Sequence, residues 1–266
     1  MLYQRILTAL ILIPLTLWAV FTDLPFVFSG FTALILLLAA WEWVGLMQFD
    51  KLMIKIGYMV FLVAVFALSL MVPLGGNLIV AVVLWLWMFA AVISYSLGKP
   101  LLGLDIKAVK FITSAPVLAI AWLGLNVLRQ QAEGSSWVVY FLVLIWITDT
   151  AAYFGGKYLG KHKLAERVSP KKTWEGALSG VVVALIFTGC VMPWLPLYWE
   201  PWRILPIAFA TVIFAVLGDL TESLLKRLAN VKDSGHILPG HGGVLDRIDA
   251  LIAAVPVFVL LQLAIF

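Results

Sequence analysis

Residues 223–249 read SLLKRLANVKDSGHILPGHGGVLDRID, from Ser223 to Asp249. The stretch holds four basic residues, three aspartates, two histidines and a Pro-Gly-His-Gly-Gly turn. The rest of the chain is as apolar as this stretch is polar. Of 266 residues, 64% are hydrophobic and 12% charged, against about 25% charged in a soluble globular domain. That composition excludes a soluble globular protein and specifies an all-α, polytopic integral membrane protein. A polar stretch inside such a chain marks the place where chemistry gathers.

A spanning helix needs about 20 mostly apolar residues. Nine runs qualify: 6–22, 26–47, 53–72, 77–97, 110–128, 136–154, 176–194, 204–226 and 248–266. The first follows Arg5 like a signal peptide, but no small-x-small site comes after it, so a retained helix is expected. Lys and Arg then orient the spans. With the N-terminus inside, Arg129 and Arg203 fall outside and the other sixteen of the eighteen basic side chains fall inside. This asymmetry predicts an odd number of spans, a cytoplasmic N-terminus and an outer C-terminus. It divides the chain into residues 1–130, about five N-terminal helices, and residues 131–266, a catalytic region of about four helices with two cytoplasmic loops. Trp194, Trp199 and Trp202 read as an outer aromatic belt, and Trp41 and Trp43 as an inner one. The single cysteine, Cys190, is expected as a small core residue. Asp23, Asp50, Asp105, Glu133 and Glu200 read as solvated loop charges.

Carboxylates inside a membrane are costly and are functional candidates by default. Asp149 sits near the inner end of the sixth run. Asp219 lies in the eighth, with Glu222, Ser223, Lys226 and Arg227 at offsets of three, four, seven and eight. These offsets share one helix face, opposite a face carrying Leu220, Leu224, Leu225 and Leu228. Asp246 and Asp249 repeat the i, i+3 spacing at the start of the ninth. Carboxylates gathered at a cavity mouth suit a hard divalent cation such as Mg²⁺; ion pairing with Lys226, Arg227 and Arg247 is the alternative reading.

Segment 155–175 is the basic counterpart, with Lys157, Lys161, Lys163, Lys171 and Lys172. Such a run can be a lipid-surface patch. Here Ser169 or Thr173 can also cap the following helix, and a capped N-terminus flanked by lysines favours phosphate. The Gly240-His241-Gly242-Gly243 turn offers backbone that can approach an anion closely. His162, His236 and His241 lack zinc spacing; of the three, His241 is the best placed to touch a substrate.

The stretch Ser223-x-x-Lys226-Arg227-x4-Lys232-Asp233, continued by Gly240-His241-Gly242-Gly243-x-x-Asp246-Arg247-x-Asp249, resembles the signature of phosphatidate cytidylyltransferases, the CDP-diacylglycerol synthases. Asp149-Thr-Ala-Ala-Tyr153-Phe154-Gly155-Gly156-Lys157 and Ser169-Pro-Lys-Lys-Thr-x-Glu175-Gly176 resemble further segments of that family. The resemblance covers residues 146–249, while the N-terminal half matches only as apolar helices. It implies transfer of the cytidylyl group from CTP to phosphatidic acid, giving CDP-diacylglycerol and pyrophosphate. It implies Mg²⁺ dependence, with a second cation left open, and a homodimer in a bacterial cytoplasmic (inner) membrane whose site faces the cytoplasm. On this reading Asp219, Asp246 and Asp249 hold metal. Lys226, Arg227 and Arg247 contact phosphates. Ser223 and Gly240 to Gly243 line the site. Lys171, Lys172 and Thr173 hold either the triphosphate or the lipid phosphate, and Asp149 is a supporting or metal residue. Nucleic acid is not an expected partner.

Two rival readings are weaker on the sequence. A transporter would place its charges near the midplane, in repeated halves, and no repeat is visible. A phosphatidyl group transferase would carry a denser aspartate pattern, Asp-Gly-x2-Ala-Arg-x8-Gly-x3-Asp-x3-Asp, which is absent from the sequence.

Overall fold

In lipid the backbone must satisfy its own hydrogen bonds, so long apolar runs become helices. The computed structural model describes residues 2–49, 51–194 and 201–265. Among these, nine helices follow in order: α1 (Leu2–Phe21), α2 (Pro25–Leu46), α3 (Leu52–Ser69), α4 (Leu74–Ser96), α5 (Lys107–Gln130), α6 (Gly134–Tyr158), α7 (Trp174–Val191), α8 (Pro201–Leu228) and α9 (Leu245–Ile265). Eight of them, α2 to α9, contain stretches long and apolar enough to cross a membrane; the apolar part of α1, Ile6–Phe21, is shorter. The chain is a polytopic membrane protein.

The helix breaks follow local chemistry. Pro25 starts α2, where its missing N–H has no intrahelical duty. Pro73 and Lys51 stand extended just before α4 and α3. The polar ends of α6, α8 and α9 run up to a turn beyond the expected spans, because helical hydrogen bonding continues where apolarity stops. One element departs from an all-helical chain. Between α6 and α7, β1 (Lys163–Ala165) pairs antiparallel with β2 (Ser169–Thr173), so the expected 20-residue loop is largely a small ribbon.

α8 packs along α9, and α6 along α7; α5 is the hub that touches α2, α3, α4, α6 and α9. The core between them buries Tyr58, Trp85, Trp137, Phe141 and Phe258. Polar side chains bridge the helices, as small hydrogen-bonding groups do in membranes. Tyr58 meets Ser114 at 2.5 Å, and Tyr140 meets Thr188 at 2.9 Å. Arg129, at the end of α5, donates to the carbonyls of Val20 and Thr22 and so ties down the α1–α2 corner.

Several expectations are corrected. Trp43 is buried in the core, not in an interfacial belt. Trp41 does sit part-exposed, with the Lys55 ammonium 5.2 Å from its ring. Cys190 is exposed on α7, because that side of the helix faces outward. Trp202 is exposed, with Arg203 stacked on it. Trp199, Asp50 and Glu200 lie outside the described residues, as do the side chains of Arg5 and Trp194.

Candidate active site

Two helix pairs approach so closely that only glycine fits between them. A Cβ at Gly218 of α8 would collide with the Asp249 carbonyl and lie 2.8 Å from the Ala253 Cβ. A Cβ at Gly176 of α7 would lie 2.7 Å from the Ala152 carbonyl of α6. The first contact sets Asp219 of α8 beside Asp249 of α9. Carboxylate oxygens of Asp219, Glu222 and Asp249 all lie within 4.8 Å of one another. Glu222 is buried, and Asp219 keeps part of its surface open.

Cations border this trio. The Lys172 ammonium, from β2, pairs with Asp219. Lys226 pairs with Glu222 one turn earlier and with Asp246 at 2.7 Å. Ser223 reaches toward Asp219 at 3.5 Å, the outer limit of a hydrogen bond. The charges of Asp219, Lys172 and Arg247 also act on Asp149, which is exposed near the C-terminal end of α6. The structure therefore brings Asp219, Asp249, Ser223, Lys172 and Lys226 together, with Asp149 within reach of their charges. It adds Glu222, whose signal was its i, i+3 offset from Asp219.

Asp246 does something different from its neighbours. Its Oδ1 accepts from Lys226, and its Oδ2 accepts from the backbone N–H groups of Ser234 and Gly243 and from the Ser234 hydroxyl, each at 2.9 Å. Asp246 is absent from the carboxylate trio, because both its oxygens are taken up by the 229–244 loop and Lys226. In that loop Leu238 and Gly242 form a bridge closed by a tight turn. Gly240 and Gly242 hold φ of 76° and 88° there, a region that suits glycine.

The arginines act as clamps. Arg227 donates to the Val168 carbonyl at 3.1 Å and fixes the ribbon to the end of α8. Arg247 donates twice to the His241 carbonyl, at 3.2 and 2.7 Å, and pins the glycine-rich turn. Next to Lys172, Thr173 caps α7, its Oγ1 accepting from the Gly176 N–H at 3.1 Å. Glu175 accepts from the Lys161 and His162 N–H groups and meets His162 Nδ1 at 2.6 Å, which gives that histidine a structural partner. Lys171 is exposed beside this capped helix start.

Two further buried or half-buried residues belong to this end of the bundle. Glu42 of α2 accepts from the Leu245 N–H at 2.8 Å and from the Ser234 hydroxyl at 3.3 Å. Thr8 of α1 donates to the Pro239 carbonyl at 3.0 Å, so the start of α1 and the glycine-rich loop lie at the same end of the bundle.

The arrangement combines hard oxygen donors, flanking ammonium groups and a capped helix N-terminus, a set suited to handling phosphates. The cytidylyltransferase family model matches residues 3–265. The chain is 37% identical over 263 residues to the phosphatidate cytidylyltransferase of Pseudomonas aeruginosa, covering 97% of this chain and 96% of that one. It is 36% identical over 281 residues to the enzyme of that name from Haemophilus influenzae, covering 97% of each. A third, from Staphylococcus aureus, is 38% identical over 143 residues, 53% of this chain and 55% of that one. The chain belongs to the cytidylyltransferase family.

Proposed function

We infer that the chain carries out the phosphatidate cytidylyltransferase reaction: CTP and phosphatidic acid give CDP-diacylglycerol and pyrophosphate. The observation that carries this reading is the trio Asp219, Glu222 and Asp249, bordered by Lys172 and Lys226. A phosphate oxygen of the lipid attacks the α-phosphorus of CTP. The new bond joins the two phosphates, the α–β bridge breaks, and the electron pair leaves with pyrophosphate. The attacking oxygen is already anionic, so a general base is dispensable, and catalysis is a matter of positioning and charge.

The trio suits Mg²⁺, since three hard oxygen donors lie within 4.8 Å of one another. Asp219 and Asp249 would hold it with Glu222, in place of the Asp246 suggested by the spacing. Bound there, the ion would offset charge on the phosphate oxygens. Lys172 and Lys226 supply fixed positive charge beside it. Lys171 and the α7 N-terminus offer a second anion site for the other phosphate group. Asp246, Arg227 and Arg247 keep the loop and ribbon in place around the site.

The site faces the cytoplasm of a bacterial inner membrane on this reading. Sixteen of eighteen basic residues support that orientation, as does the Thr8 contact that puts the chain's first helix beside the site loop. The expected assembly is a homodimer. The test is pyrophosphate release by detergent-purified protein given CTP, phosphatidic acid and Mg²⁺. Turnover that EDTA abolishes is expected; no turnover with both substrates present would overturn the assignment.

A further inference from the structure

Glu42 is the carboxylate for which the reaction has no direct use. It lies in the last turns of α2, with 4% of its surface exposed, in a half of the chain whose sequence otherwise reads only as apolar helix. One oxygen accepts from the Leu245 N–H, at the first residue of α9, 203 positions away. The same oxygen lies 3.3 Å from the Ser234 hydroxyl, whose single proton it shares with Asp246 at 2.9 Å. The loop is wrapped tightly around this group. A Cβ at Gly235 would collide with its carboxylate, and one at Gly243 would lie 2.6 Å from the accepting oxygen. Contacts then run without a break from Glu42 through Ser234 to Asp246, from Asp246 to Lys226, and from Lys226 to Glu222.

We propose that Glu42 is a positioning residue for the cytidylyl transfer: by reach rather than by charge, it holds the 234–245 loop so that Asp246 sets the Lys226 ammonium at the reacting phosphates. The proposal rests on the site reading given above. There is a clear physical reason for an acceptor at this depth. The Leu245 N–H is one of the unpaired donors at the start of α9, and a buried donor without a partner is destabilising. Leu245 is 1% exposed, away from bulk solvent, and the α2 carboxylate takes its N–H at 2.8 Å.

Reach and charge are separated by two variants. Glu42→Gln keeps the length and one acceptor oxygen but loses the charge. Glu42→Asp keeps the charge but draws the carboxylate back by about 1.5 Å, out of range of the Leu245 N–H. Turnover per folded molecule is measured in detergent, with folding checked by thermal melting. Glu42→Asp should lower kcat by about tenfold or more, the size expected when a catalytic group is displaced slightly. Glu42→Gln should recover most of that, falling less than about threefold, with KM for phosphatidic acid unchanged in both. A purely structural role would reduce the yield of folded protein and leave kcat alone, which overturns the proposal. So does Glu42→Gln losing as much as Glu42→Asp, since charge would then matter. If Glu42→Asp does not fold, Ser234→Ala tests the next link: a kcat fall of about threefold or more upholds the proposal, and an unchanged kcat overturns it. Failure of the metal reading would appear separately, as an Asp249→Asn variant with normal turnover.

Discussion

Between α8 and α9, and between α6 and α7, there is no room for a methyl group at Gly218 or Gly176. Around α3 the situation is reversed: Val60, Val63 and Leu68 are exposed, and a Cβ at Gly57 would meet nothing within 4 Å. Both regions are helices of similar apolar content in the same bilayer. The difference lies in what each pair of helices must hold still. Where charges have to be kept within a few ångströms, backbones touch, and small residues permit it. Where the only neighbour is lipid, side-chain shape is free. Helix α2 belongs to both regimes, carrying lipid-level apolar residues along most of its length and Glu42 where it meets the loop.

Three variants probe this contrast. Asp249→Asn removes one member of the carboxylate trio and should lower kcat about a thousandfold, roughly 4 kcal/mol of lost charge stabilisation. Measured pyrophosphate release within tenfold of wild type would remove Asp249 from the metal set. Gly218→Ala inserts the smallest possible wedge between α8 and α9 and should cost about a hundredfold in kcat, because slight misplacement of reacting groups is enough. The protein should still melt cooperatively, losing about 1–3 kcal/mol from overpacking. If Gly218→Ala is silent, close backbone contact is not what aligns the site. Val60→Ala, on the lipid side of α3, should leave turnover within about twofold and stability within about 0.5 kcal/mol. A larger effect in the same assay would show that the outer helices carry more than apolar bulk.

The helices were readable from sequence because lipid imposes one simple rule on every span. Their polar ends were less so, since hydropathy marks contact with lipid and not the last hydrogen bond. The ribbon was unreadable: Ser169-Pro-Lys-Lys-Thr has no alternation of apolar and polar residues, and its pairing depends on Glu175 organising the turn at His162. In the site, the face formed by Asp219, Glu222, Ser223 and Lys226 follows directly from helical spacing. The pairing of Lys172 with Asp219 does not, because it joins residues 47 positions apart through the fold. Asp246 looked like a metal ligand by spacing from Asp249. Its place in the first turn of α9, after two glycines, pointed to another role, since a carboxylate there accepts free backbone N–H groups. Glu42 was visible as an intramembrane carboxylate, but the tryptophans on either side made the segment read as an interfacial belt.

The bond between Glu42 and the Leu245 N–H also bears on how the protein is made. Its two ends are synthesised far apart in time, α2 early and α9 late. Glu42 has neither the loop nor the Leu245 N–H to hold while α3 to α8 are being inserted. A chain released before α9 lacks Asp246 and Asp249 together with the partner that Glu42 was waiting for. On the proposed site, a truncated product is expected to be catalytically silent, and competence waits until the late helix docks against one of the earliest.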